Sequence, residues 1–96
     1  MIGTDMVGRH VVVRTYSAGV HLGTLAEREG TAVVLRDARR LWRWAGAFTL
    51  SEVATAGVKR VGSRISATVP TILVTEAIEV IPTTEAARET FDAIHE

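Results

Sequence analysis

The residue types best suited to binding chemistry crowd into Val33–Leu50, VVLRDARRLWRWAGAFTL. This stretch holds both tryptophans and four of the ten arginines: Arg36, Arg39, Arg40 and Arg43. Guanidinium forks pair with phosphate or carboxylate, and indole rings stack on a base or fill a core. In an extended strand, alternate positions from Val34 put Arg36, Ala38, Arg40, Trp42 and Trp44 on one side. Val33, Leu35, Asp37, Arg39, Leu41 and Arg43 then fall on the other. A β-bulge near Asp37-Ala38 would change which residues share a face beyond it. In either register arginines lie beside indoles, the pairing that a nucleotide-like anion needs. The plainer reading is structural: tryptophans in so small a domain anchor a core or an interface, with arginine stems laid over them.

Catalytic chemistry finds little support. His10, His21 and His95 share no metal-ligand spacing, so no metal site is expected. Ser17, Ser51, Ser63 and Ser66 fall in turn or cap contexts, and none sits in a nucleophile elbow. Glu76 and Glu79 would point to opposite faces of a strand, which prevents them from acting as an acid–base pair. The absence of cysteine removes disulfides, thiolate zinc sites and a cysteine nucleophile. No catalytic residue, no cofactor and no enzyme activity are expected. What remains is binding.

The elements that must position these residues read as one domain over 1–96, with 1–8 as a loose leader. Arg9–Tyr16 is rich in β-branched residues and reads as a strand. After the Ser17-Ala18-Gly19 turn, Val20–Ala26 reads as its return. A second turn at Glu27–Gly30 leads into a third strand that starts at Thr31 and ends at Gly46. Thr49-Leu50-Ser51-Glu52 is a capping box, with Phe48 and Val53 at the positions of a hydrophobic staple, and Gly57 stops the short helix. Val58–Pro70 reads as a loop or irregular edge. Thr71–Ile81, TILVTEAIEVI, reads as a fourth strand, apolar on both faces, with Glu76 and Glu79 seeking partners among the arginines of the third strand. Thr83 caps a final helix, Thr84–His95, with Ala87, Phe91 and Ile94 in register. The fold class is therefore α+β: a small antiparallel sheet, built as a three-stranded meander plus a fourth strand, with a short internal helix and a C-terminal helix covering one face.

The bulk numbers narrow the setting. Apolar residues make up 47% of the 96, enough for a core and too many for a disordered tail. A chain of this size buries only roughly 60–65% of its unfolded surface, so association between subunits would be a natural supplement. No apolar run is long enough for a membrane helix, and the N-terminus lacks the pattern of a signal peptide. Net charge is zero but unevenly placed, with ten basic and five acidic residues in 1–70 and six acids beside Arg88 alone thereafter. That split suits an anion site or head-to-tail complementarity between subunits. A nucleic acid polymer is a weaker partner for a chain of zero net charge.

Three stretches, VVVRTYSAGVHLGTL (Val11–Leu25), DARRLWRWAGAFTLSEVATAGV (Asp37–Val58) and ILVTEAIEVIPTTEAA (Ile72–Ala87), resemble in order and spacing a family of small phage proteins. It is the family of the first-described anti-Thoeris sponge, which captures cyclic ADP-ribose signals. The resemblance runs from about Val11 to Ala87. It implies a protein that holds the cyclic ADP-ribose isomers of bacterial TIR enzymes without cleaving them, in the cytoplasm of the infected bacterial host. It further implies a homo-oligomer built from dimers, up to a hexamer, with the signal near subunit interfaces. Some members also take cyclic oligonucleotides at separate sites. On this resemblance the ligand residues are Arg39 and Arg40 of the ARR motif for the pyrophosphate. Tyr16, Trp42 or Trp44 serve the adenine, and Thr75 and Glu76 the ribose hydroxyls. Arg14 lies beside Tyr16, and Arg64 is a loop residue able to close over the ligand. The rival is a structural or protein-interaction module that uses the Trp–Arg strand as a subunit interface.

Overall fold

A computed structural model describes residues 4–95 of the chain. Six strands and two helices follow in the order β1 (His10–Thr15), β2 (Val20–Glu29), β3 (Ala32–Arg43), α1 (Leu50–Ala56), β4 (Arg64–Ile65), β5 (Val69–Val74), β6 (Ala77–Pro82) and α2 (Glu85–Asp92). The architecture is α+β, with every strand pairing antiparallel. β1, β2 and β3 form the expected meander. β4 and β5 both pair with β3, and β6 pairs with β1.

The single fourth strand expected over Thr71–Ile81 is in fact two. β5 lies against β3 and β6 against β1, joined only by Thr75 and Glu76. In a flat sheet β5 and β6 would stand about 19 Å apart, four strand spacings. A two-residue link reaches roughly 11 Å. The sheet must therefore curl until its edges meet, and it closes as a small barrel. Hydrogen bonds from the Ala77 N–H to the Thr31 carbonyl (3.0 Å) and from the Thr31 hydroxyl to the Thr75 carbonyl (3.0 Å) hold the closure.

Curling needs bends, and the strands supply them. Leu22 pairs with Arg39 and Thr24 with Arg36, so Asp37 and Ala38 together oppose Gly23. This is the bulge anticipated at Asp37-Ala38, and Asp37 takes a positive φ of 51°. A Cβ at Gly23 would sit 3.1 Å from the Arg36 carbonyl oxygen and 3.2 Å from the Leu35 Cβ, so the close approach of the bent strands requires glycine there. The bulge also shifts the alternation: Leu35 and Ala38, rather than Leu35 and Asp37, share the interior face.

Two cores result. Val11, Val13, Leu25, Val33, Leu35, Ala38 and Val74 fill the barrel. Val12, Leu22, Leu41, Ile65, Val53, Ala54, Ala87 and Phe91 form a second layer between the outer face of the sheet and the helices. The continuous Val11-Val12-Val13 run is explained by β1 lying between the two, buried on both faces.

Several boundaries differ from the sequence expectation. β2 runs on to Glu29, so Gly30 and Thr31 make the turn; β3 ends at Arg43, not Gly46. Within the expected leader, Thr4–Met6 form a 3₁₀ turn, and the Gly8 N–H donates to the Leu25 carbonyl at 2.8 Å; residues 1–3 lie outside the described range. Within Val58–Pro70, Val58 is buried and Arg64–Ile65 add a short strand. Thr49 caps α1 as expected, accepting from the Glu52 N–H at 3.2 Å. The staple does not form, because Phe48 is 96% exposed while Val53 is fully buried. Thr84, not Thr83, caps α2; the Thr83 hydroxyl instead donates to the His10 carbonyl. Glu76 and Glu79 find partners away from β3: Ser17 donates to Glu76 at 2.7 Å, and Arg14 pairs with Glu79 at 3.4 Å.

Candidate functional site

The residues singled out from the sequence separate into distinct neighbourhoods, because the bulge in β3 and the barrel closure send their side chains different ways. Arg39 faces α2. Its Nε donates to the Ser66 carbonyl (2.8 Å), its Nη1 to the Phe91 carbonyl (2.9 Å) and its Nη2 to the Ile94 carbonyl (2.6 Å). A guanidinium at the C-terminal end of a helix satisfies orphan carbonyls and meets the negative end of the dipole. Arg39 is thus committed to holding the fold and is not a phosphate fork.

Arg40, the other arginine of the motif, stays exposed beside a cleft of about 290 Å³ lined by His21, Ser66, Val69 and Ile72. Trp42 is 57% exposed on the same strand. Arg64 lies on β4 rather than in a loop, in register with Arg43. Tyr16, Thr75 and Glu76 meet at the end of the barrel. There the Tyr16 N–H donates to the Glu76 carbonyl (3.0 Å), and the Tyr16 side chain is 79% exposed.

Arg14 and Trp44 do converge. Together with Val20, Phe48, Thr49, Leu50, Ser51 and Glu79 they line a cleft of about 400 Å³. β1 brings Arg14, the end of β3 brings Trp44, and the approach to α1 brings Phe48. Trp44 and Leu50 rest on the outer core, which anchors one wall, while Phe48 projects into solvent. The cleft combines a guanidinium, two aromatic rings and the hydroxyl-bearing residues Thr49 and Ser51. Sequence reasoning missed Phe48 because its position before a cap matches a buried staple, and no local signal distinguishes the two outcomes.

A larger cleft, about 580 Å³, opens between α2 and the bulged part of the sheet, lined by His10, Thr24, Asp37, Arg39, Thr68, Arg88, Asp92 and His95 among others. His10 sits at its side, stacked on Phe91 at 6.1 Å between ring centroids. Burial, reinforced by the Arg88 guanidinium and only partly opposed by Asp92, lowers its pKa from 6.5 to about 4. His21 is lowered as well, chiefly by burial and then by Arg40, against the pull of the Ala18 carbonyl. Among the described residues no group of three His, Asp or Glu is placed to hold a metal ion, and no helix is long and apolar enough to cross a membrane.

The lowered histidines make a prediction about pH. The fold favours neutral His10, so between pH 6.5 and about 4 the unfolded chain binds more protons than the folded one. The stabilising contribution is complete above that window and is lost as pH falls through it. Roughly 1–2 kcal/mol is expected after allowing for the partial exposure of the ring. Urea unfolding at pH 7 and pH 4.5 should show a smaller loss in His10→Asn than in the parent. Equal losses in both would remove His10 from the acid response.

No match was found among curated proteins or among solved structures. The stretch that matches a known family, residues 8–91, takes in β1 through α2 almost whole, including the Arg14–Trp44–Phe48 cleft. By that match the chain belongs to the DUF6948 family, described as a domain of unknown function.

Proposed function

We propose that this protein is a non-enzymatic phage sponge that sequesters cyclic ADP-ribose-type signalling nucleotides and so blunts TIR-based immunity in the infected bacterium. The observation that carries the reading is the convergence of Arg14, Trp44 and Phe48 on one cleft. A pyrophosphate-bearing nucleotide asks for a guanidinium and for aromatic surface beside it. Phe48 is available for stacking at no cost to the core. Thr49, Ser51 and Glu79 are suited to the ribose hydroxyls. In this reading Tyr16, Thr75 and Glu76 form the rim near Arg14, and Arg40, Trp42 and Arg64 lie on a neighbouring cationic surface. The protein works as a homo-oligomer, and the aromatic wall is completed by a second subunit. Some capacity for cyclic oligonucleotides belongs to the same proposal.

Calorimetric titration with cyclic ADP-ribose isomers tests it, followed by heating the complex and analysing what is released. Tight binding with intact ligand recovered supports a sponge; altered ligand would instead indicate an enzyme. Phe48→Ala is expected to weaken binding about tenfold or more while leaving the melting temperature unchanged, since the ring is almost wholly exposed. Undiminished affinity in that variant would move the ligand out of this cleft. The second reading, a structural or protein-interaction module that uses the Trp–Arg strand as a subunit interface, is favoured by the exposure of Trp42. It expects Trp42→Ala to break oligomers and no isomer to shift the melting temperature.

A further inference from the structure

We propose that the cleft between α2 and the bulged part of the sheet is a separate binding site for a small phosphorylated sugar. It shares no lining residue with the Arg14–Trp44–Phe48 cleft, so the two stand or fall independently. Its volume, about 580 Å³, lies within the range of small-molecule sites.

The cleft gathers charges that do not pair with one another. Asp37, Arg88 and Asp92 line the same cleft. Arg88 and Asp92 are four residues apart, a spacing at which opposite charges pair on a helix surface. Yet the Arg14–Glu79 contact is the ion pair found among the described residues, and none of these three joins one. An exposed pair at this spacing is worth little, so Arg88 and Asp92 can meet a ligand in place of one another.

The bulge contributes directly. Asp37 is the non-glycine residue with positive φ among those described, at 51°, and this conformation places it at the edge of the cleft. Aspartate tolerates the left-handed conformation that the bulge imposes. His10 adds a ring to the wall: its Nδ1 lies 2.7 Å from the Thr83 hydroxyl, which is also 3.1 Å from the His10 carbonyl.

The cleft thus offers one guanidinium outside any ion pair, Arg88, against two carboxylates, Asp37 and Asp92, with His10 and the hydroxyl-bearing Thr24 and Thr68 alongside. Arg39 forms part of the wall, its position set by its bonds to Ser66, Phe91 and Ile94. A single anionic group meets Arg88, and several hydroxyl protons meet the acceptors. A bare anion would face two carboxylates, and a bare polyol would leave Arg88 unused.

Titrating ¹⁵N-labelled protein with ribose 5-phosphate, ribose and inorganic phosphate in parallel tests the proposal. Ribose 5-phosphate is expected to shift the amide signals of Asp37, Arg88 and Asp92 and to bind at least about tenfold more tightly than either part alone. Arg88→Gln and Asp37→Asn are each expected to weaken it about tenfold, with melting temperatures held near the parent value, because both side chains are exposed and asparagine tolerates the same φ. Three results would overturn it: no shift at millimolar ligand, equal affinity for phosphate or ribose alone, or unchanged affinity in both variants.

Discussion

Arg39→Ala is expected to lower stability by about 3 kcal/mol, and the melting temperature by roughly 15 °C, whatever it does to ligand binding. The three donors of this half-buried guanidinium hold Ser66, Phe91 and Ile94, which belong to the loop before β5 and to the end of α2. Deleting the side chain takes a charged donor from each of three carbonyls, of which Phe91 keeps the Ile94 N–H at 3.1 Å, and removes the tie between β3 and α2. Each lost charge-assisted bond is worth about 1.5–3 kcal/mol, but the three act as one unit and do not add. Arg39→Lys should recover less than half of the loss, since one ammonium cannot reproduce a planar fork that reaches three diverging oxygens. Urea denaturation of the parent and both variants measures this. A parent-like midpoint for Arg39→Ala would mean that the clamp contributes nothing. The experiment also bears on function, because a fall in ligand affinity in this variant reports a damaged scaffold.

Gly57→Ala should be more damaging, at about 4 kcal/mol. Gly57 ends α1 with φ 83° and ψ −159°, a region essentially reserved for glycine. An added Cβ would also lie 2.1 Å from the Thr90 hydroxyl oxygen and 2.8 Å from its methyl carbon. Thr90 is not free to turn aside. Its hydroxyl accepts from the Val58 N–H at 3.1 Å and donates to the Ala87 carbonyl at 2.6 Å, so movement there loosens the α1–α2 contact. Strain and collision are separable. Adding Thr90→Ala to Gly57→Ala removes the collision and keeps the backbone strain, so the double variant should be less destabilised than the two single changes added together. Strict additivity would show that the collision plays no part.

Much of the local structure was legible in the chain. β1 announces itself by β-branched residues, α1 by Thr49 and Glu52, and the bulge by the break in alternation at Asp37-Ala38. Each signal is complete within a few residues. The division of TILVTEAIEVI into β5 and β6 was not legible, because neither glycine nor proline marks Thr75-Glu76 and both halves are equally apolar. The bend there is imposed by closure of the barrel, through bonds to Thr31 more than forty residues earlier.

The candidate site divides in the same way. The residue types of the Arg–Trp stretch do not say what each side chain meets. Arg39 and Arg40 are neighbours of identical chemistry. One clamps a helix end and the other stands at an open cleft, because successive strand residues point to opposite faces and α2 packs against only one of them. Phe48 and Trp44 are equally ambiguous in sequence; one is almost wholly in solvent and the other leans on the outer core. By itself, then, the sequence determined the α+β class, the meander, the Thr49 cap and the bulge, all of which arise from interactions between residues close in the chain. Tertiary structure alone decided the closure of the barrel, the partner of Arg39, the cleft shared by Arg14 and Trp44, and the unpaired charges around Asp37 and Arg88. Those depend on groups far apart in the chain, 27 to 55 residues for Arg39 and its partners, and where such groups meet is set by how the two cores pack.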